Sequence, residues 1–231
     1  MELPITKKLA AECFGTFCLV FAGTGAIVIN DLSGGAVTHV GIAVTFGLIV
    51  FVMIAAVGDV SGAHLNPAVT TGFFLAKRFP GHAVAPYVVS QVIGAVLASI
   101  TLRLLFPGHS GLGGTLPSGS VFQSLVLEVF LAATLMFVIL TVTTGAKEKG
   151  ITAGIAIGGA VALGALFAGP VSGASMNPAR SLAPALVSGQ LDALWVYLVG
   201  PTLGAGLAVL TCRCIREPNC CRGANTRGAR S

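Results

Sequence analysis

A fifteen-residue pattern occurs twice in this chain, and it limits the fold more than any other feature. Residues 58–72 read GDVSGAHLNPAVTTG and residues 169–183 read GPVSGASMNPARSLA. A shift of 111 residues places Gly58 on Gly169, Val60-Ser61-Gly62-Ala63 on Val171-Ser172-Gly173-Ala174, and Asn66-Pro67-Ala68 on Asn177-Pro178-Ala179. Repetition at about half the chain length means one structural unit used twice. Each copy follows a long apolar run and carries helix-start chemistry at its centre. Asparagine is a good N-cap because its side-chain oxygen takes an orphan backbone N–H of the first turn. Proline suits the next position, where its missing N–H costs nothing and its φ already fits a helix. The pattern predicts short helices starting at Pro67 and at Pro178.

Composition decides whether those starts lie in water or in lipid. Over 231 residues, apolar types make up 55% and charged types 9%, where a soluble domain carries roughly a quarter charged. With 31 glycines the chain is too apolar and too rich in small residues for a soluble core, and normal for a packed membrane bundle. The net charge of +5 does not point to nucleic acid, because the basic residues sit at span ends and in the tail with no interleaved aromatics. Lys7-Lys8 precede an apolar run of spanning length with no small-residue cleavage site, so that run reads as a first span and not a removable signal. The chain reads as an all-α, multi-pass membrane protein.

Six stretches suit spans: 9–29, 40–57, 83–105, 122–142, 151–168 and 194–211. They are separated by turn-forming residues at 30–35, at 107–119 and at Lys147-Glu148-Lys149-Gly150. The segments expected to be helical from Pro67 to Ala76 and from Pro178 to Val187 hold about ten residues each, or ~15 Å at the helical rise, half of the ~30 Å hydrocarbon core. Neither can cross, so each reads as a re-entrant half-helix. Lys7, Lys8, Lys77, Arg78, Lys147, Lys149 and Arg213, Arg216, Arg222, Arg227 and Arg230 all fall on one side of a six-span arrangement. Positive residues favour the cytoplasm, so both termini are expected there, in the cell (inner or plasma) membrane. Three spans per repeat is an odd number, so the second copy runs inverted. The expected units are a first repeat over 1–106, an extracellular connecting loop over 107–120, a second repeat over 121–212, and a disordered cytoplasmic Cys/Arg-rich tail over 213–231.

Half-helices entering from opposite faces bring their N-termini together near the midplane. Irregular backbone at that depth is tolerated only when buried in protein or lining a wet cavity. The lead-ins cannot all be helical, so the carbonyls of Gly62, Ala63, His64 and Leu65, and of Gly173, Ala174, Ser175 and Met176, are expected to line a pore. Two N-termini place about +0.5 elementary charge each at its centre. Asn66 and Asn177, with their side-chain oxygens used as caps, offer amide N–H groups to a passing oxygen. Such a centre suits a neutral hydroxylic solute and repels cations and hydronium. Arg180 is the only basic residue of the second half-helix, and at membrane depth a cation reads as functional by default.

The paired Asn-Pro-Ala motifs, the arginine after the second, and the half-length repeat resemble the aquaporin, or major intrinsic protein, family over about residues 7–212. The resemblance implies six transmembrane helices plus two re-entrant half-helices in an inverted repeat, a homotetramer with one pore per protomer, and no enzyme activity. It also implies an outer selectivity filter in which Arg180 is joined by Phe46, Ala165 and Ala174. Strict water channels have His where Ala165 stands, and its loss widens the constriction. One aromatic, small residues and an Arg are most similar to the nodulin-type intrinsic proteins and their bacterial relatives, as is the stretch from Gly58 to His64. Those channels pass glycerol, urea and uncharged metalloid acids such as arsenous, boric or silicic acid. Ser181 and Ala185 look like water channels, whereas Tyr197-Leu198 looks like solute channels.

Glu12 and Glu128, one per repeat, are either proton-coupling sites or acceptors for N–H groups of the lead-in loops. The resemblance and the placement favour the loop-supporting role. His64 is either a titrating gate or a fixed support for its loop, with the support preferred. His39, His82 and His109 lie near loops and are assigned nothing. Cys13 and Cys18 read as packing residues. Cys212, Cys214, Cys220 and Cys221 cluster in the tail, where soft thiolates suit a soft metal or As(III), but the spacing is no standard zinc pattern, so no metal and no cofactor is expected. The tail arginines read as a topology anchor touching anionic membrane lipid. The reading is a passive channel for water and small uncharged solutes that excludes ions. Its rivals are a strict water channel, an ion-coupled secondary transporter, a membrane enzyme and a closed, junction-forming member of the family.

Overall fold

The computed structural model describes residues 3–143 and 151–215. The described residues form eight helices: α1 (Ile5–Leu32), α2 (Thr38–Ser61), α3 (Pro67–Leu75), α4 (Gly81–Leu105), α5 (Val121–Val142), α6 (Ile151–Ser172), α7 (Pro178–Ser188) and α8 (Leu194–Ile215). All but α3 and α7 are long and apolar enough to cross a membrane. At 9 and 11 residues, α3 and α7 reach only about 14 and 17 Å. They start at Pro67 and Pro178 as the Asn-Pro pattern predicts.

The second and fifth spans run further than expected, through Ser61 and Ser172 and not only to Val57 and Ala168. What stops each is a glycine in the left-handed region: Gly62 (φ 90°) and Gly173 (φ 79°) return their N–H to Gly58 O and Gly169 O, a C-cap that other residues adopt only with strain. Pro170 lies inside α6 and cannot donate to the carbonyl four residues back. That carbonyl, of Leu166, is instead 2.7 Å from Nε2 of His39, one of the histidines to which the sequence assigned nothing.

The halves pack alike. Helix α1 lies on α4 and α2, and α5 lies on α8 and α6; each half-helix also packs on the last span of the other half, α3 on α8 and α7 on α4, while α2 meets α6. Close approach requires glycine at equivalent places: a Cβ on Gly94 would sit 2.0 Å from Cys13 O, and one on Gly204 2.3 Å from Val129 O. Small residues of this kind let membrane helices approach backbone to backbone. Large apolar side chains such as Leu104, Phe122, Phe130, Leu163 and Phe167 are exposed on the outside, as lipid contact requires.

One expectation at the C-terminal end is corrected. Cys212 and Cys214 belong to α8 and not to a disordered tail; Cys212 is buried and Cys214 exposed. Residues two apart on a helix face nearly opposite ways, so this pair cannot share a metal. Arg213, expected as a lipid anchor, is exposed and also donates from Nη2 to Leu75 O at the end of α3 (3.1 Å), where a cation meets the negative end of the half-helix. The loop at Lys147-Glu148-Lys149-Gly150 and the residues Arg216, Cys220, Cys221, Arg222, Arg227 and Arg230 lie outside the described residues. The 107–120 connection is not a plain surface loop, because Leu112 and Thr115 are buried and Ser118 N–H donates to Val171 O.

Candidate functional site

The half-helices meet end to end through their capping asparagines. Asn66 Oδ1 accepts from Ala68 N–H (2.8 Å), and Asn177 Oδ1 accepts from Ala179 N–H (3.0 Å) and Arg180 N–H (3.4 Å). The amide nitrogens cross over: Asn66 Nδ2 donates to Met176 O (2.8 Å) and Asn177 Nδ2 to Leu65 O (2.9 Å). The sequence reading left both amide nitrogens to the solute. Here one hydrogen of each closes a bond to the opposite repeat, and the second remains for a partner in the internal cavity that both residues line. Leu65 O and Met176 O each keep one lone pair. Pro67, Ala68, Pro178 and Ala179 are buried behind the asparagines.

Each lead-in alternates through left-handed residues: Ala63 (φ 46°) and Leu65 (φ 50°) in the first, Ala174 (φ 43°) and Met176 (φ 53°) in the second. For a side chain bearing Cβ this costs roughly 1–2 kcal/mol per residue. Charge-assisted bonds to two fully buried carboxylates offset it. Glu12 accepts from Ser61 Oγ (2.7 Å), His64 N–H (2.9 Å), Leu65 N–H (2.7 Å) and Gln91 Nε2 (2.8 Å). Glu128 accepts from Ser172 Oγ (2.9 Å), Ser175 N–H (2.8 Å) and Met176 N–H (2.8 Å). Peptide planarity points the carbonyl of the preceding residue away from each such N–H. The oxygens of Ala63, His64, Ala174 and Ser175 therefore face away from the carboxylates. Residues 62–65 and 174–176 line the cavity, and Gly173 does not.

Arg180 is 1% exposed, yet it lines the cavity. Its Nη1 donates to Gly113 O (3.0 Å), its guanidinium carbon stands 5.1 Å from the Phe46 ring centroid, and its Nε has no hydrogen-bond partner among the described residues. Behind it, Thr115 Oγ1 donates to Ser181 Oγ (2.7 Å), which in turn bonds Ser175 Oγ. Of the four positions expected to form a filter, Phe46, Ala174 and Arg180 share the cavity wall. Ala165 is buried and does not line this cavity, although Val161, one turn earlier, does.

His64 lines the cavity and is held on every side. Its Nδ1 lies 3.1 Å from Thr70 Oγ1, and Phe73, Phe79 and Tyr87 pack around the ring at centroid distances of 4.6, 4.8 and 5.2 Å. Gln91 Nε2 links Glu12 to Thr70 Oγ1 (2.9 Å), and Tyr87 OH donates to Ser61 O (2.9 Å). Sequence reasoning missed Thr70, Tyr87, Gln91, Gly113 and Thr115. A buried-span glutamine was the one available signal, since an amide in lipid needs partners.

Crossing helices in an inverted repeat around two half-helices whose N-termini meet at an internal cavity define a multi-pass membrane channel. The chain belongs to the Major intrinsic protein family, whose sequence profile matches residues 1–212. It is 50% identical over 220 residues to Aquaporin NIP1-1 of Zea mays, covering 95% of this chain and 78% of that protein. It is 47% identical over 206 residues to Nodulin-26 of Glycine max, covering 89% and 76%. Its structure matches that of the aquaglyceroporin from Plasmodium falciparum with a TM-score of 0.81 at 25% identity, over 94% of this chain and 99% of the other. The protein is a passive channel for water and small solutes, and not an enzyme.

Proposed function

We propose that this channel passes glycerol, urea and uncharged metalloid acids (arsenous, boric or silicic acid) as well as water, and excludes ions and protons. The observation that carries the reading is the wall at Arg180: one buried cation that lines the cavity, flanked by Phe46 and by the small Ala174. Such a wall offers donors on one edge and carbon on the other, as a polyol or a hydroxylated acid requires. Ala165 is small and buried where a His would narrow the outer constriction. The Asn66 and Asn177 amides, at paired helix N-termini, order the file of oxygens and repel cations. Carbonyls of the two lead-ins accept hydrogen bonds along the path, and Glu12 and Glu128 hold those lead-ins in shape. The solved aquaglyceroporin neighbour supports a range beyond water. A strict water channel is the second reading, favoured by the position of Ala165 outside the cavity wall.

Family membership supports a homotetramer in which each protomer keeps its own pore. Lys7, Lys8, Lys77, Arg78 and Arg213 at one end of the bundle support cytoplasmic termini in the cell membrane, with the repeats at 1–106 and 121–212 and the 107–120 connection outside. Arg103 is basic at the opposite end, where the carbonyl of His109 accepts from it (2.8 Å). The deciding experiment is stopped-flow light scattering on proteoliposomes. Fast shrinkage in an impermeant osmolyte, followed by fast re-swelling in glycerol, urea or boric acid, is the expected outcome. Shrinkage without re-swelling in any solute means a strict water channel.

A further inference from the structure

The loop that holds Arg180 is itself held by a histidine on the outer face. His109 Nε2 stands 3.1 Å from Asp31 Oδ2, its Nδ1 accepts from Leu112 N–H at 3.0 Å, and its carbonyl accepts from Arg103 Nη1. The ring side chain is 11% exposed and that of Asp31 53%. Leu112, fully buried with φ 49°, leads directly into Gly113, whose carbonyl accepts from Arg180 Nη1. One peptide unit therefore separates the bond made by His109 from the bond made by Arg180.

We propose that His109 is a positioning residue for Arg180, and that a proton arriving at His109 from the outer face releases the hold. The proposal rests on Arg180 being the filter. Because Leu112 N–H occupies Nδ1, the neutral ring carries its hydrogen on Nε2 and donates it to Asp31. A proton added at Nδ1 faces an N–H, so the Leu112 bond breaks while the Asp31 pair tightens and keeps the ring at the end of α1. Leu112 and Gly113 are then untied, and the guanidinium loses its fixed acceptor and swings into the lumen. The charged groups facing the ring and its backbone are Asp31 from α1 and Arg103 from α4. The α7–α8 turn meets this loop through the uncharged Gln190, opposite Gly111.

The test uses cells expressing the full chain, with internal pH clamped and external pH varied from about 8 to about 5, the range over which histidine changes charge. The wild type should lose at least about half of its glycerol permeability on external acidification. His109→Asn keeps an oxygen that can accept the Leu112 N–H and does not titrate, so it should retain full permeability at every pH. His109→Ala should be low and flat, and in an Arg180→Ala background it should have no further effect, as a shared path requires. An unchanged pH response in His109→Asn, or wild-type permeability in His109→Ala, overturns the proposal. If Arg180→Ala alone leaves ion exclusion and solute range untouched, it is the filter reading that fails. If Arg180→Ala changes them while both His109 variants match the wild type, only the role of His109 fails.

Discussion

The two central loops share a skeleton and differ in everything that leans on it. Both have a buried glutamate, a serine at the end of the preceding span, two consecutive N–H groups turned to the carboxylate, and a capping asparagine that reaches across to the other loop. In the first loop the remaining space is closed from within its own repeat, by Thr70, Gln91 and the aromatic ring around His64. In the second, hydroxyls run from Ser175 through Ser181 to Thr115, and Arg180 leans on Gly113. Both outside partners come from the connection between the repeats. The backbone problem is identical in the two loops, so its solution is duplicated. On the proposed reading selectivity is set at Arg180, and there the support comes from a segment that is not part of the repeat.

The largest expected effect removes what the loops share. Glu12→Ala removes the carboxylate acceptor of four donors and Glu128→Ala that of three, at about 1–3 kcal/mol for each buried group left unpaired. Both should lower the unfolding temperature in detergent severely, Glu12→Ala the more; equal shifts would mean that Gln91 adds nothing to the first loop. Next comes the contrast between mouths. Arg180→Ala should admit cations or protons in a flux assay, whereas His64→Ala should leave their exclusion intact; leakage in both variants would erase the functional difference between the loops. Ala165→His should cut solute flux far more than water flux, and equal loss of both would remove position 165 from the filter. Smallest, Gln91→Ala and Thr115→Val should each cost about 1 kcal/mol of stability, with only Thr115→Val altering glycerol permeability. If Gln91→Ala altered it as well, the first loop would also tune the solute range.

Most of the fold was legible because it follows from local chemistry repeated at a fixed interval. Asn-Pro starts a helix, ten helical residues cannot cross a bilayer, and an odd number of spans inverts the second copy. Even the overlooked ends of α2 and α6 were written in Gly62 and Gly173, which take the left-handed cap that ends each helix. The site was legible only where residues recur in the motif. Gly113 sits in a stretch rich in glycine, proline and serine that looks like any surface turn, yet it lies so close to Thr24 that a Cβ would stand 2.6 Å from the Thr24 carbonyl oxygen, and its own carbonyl accepts from Arg180, both far away in the chain. Cys212 seemed to belong with the other tail cysteines because hydropathy falls there, yet packing of α8 against its neighbours carries the helix through Ile215. Pairings of this kind have no periodicity to announce them.

The crossed asparagine bonds also set an order of assembly. When the first half has been threaded into the bilayer, Asn66 has an amide hydrogen and Leu65 a carbonyl whose partners, Met176 and Asn177, come some 110 residues later. Unpaired polar groups at that depth are costly, so the early half carries a debt that only the late half can discharge. The middle of the conduit is thus the last part to be completed. A chain that stalls between its halves would leave those two groups without their partners.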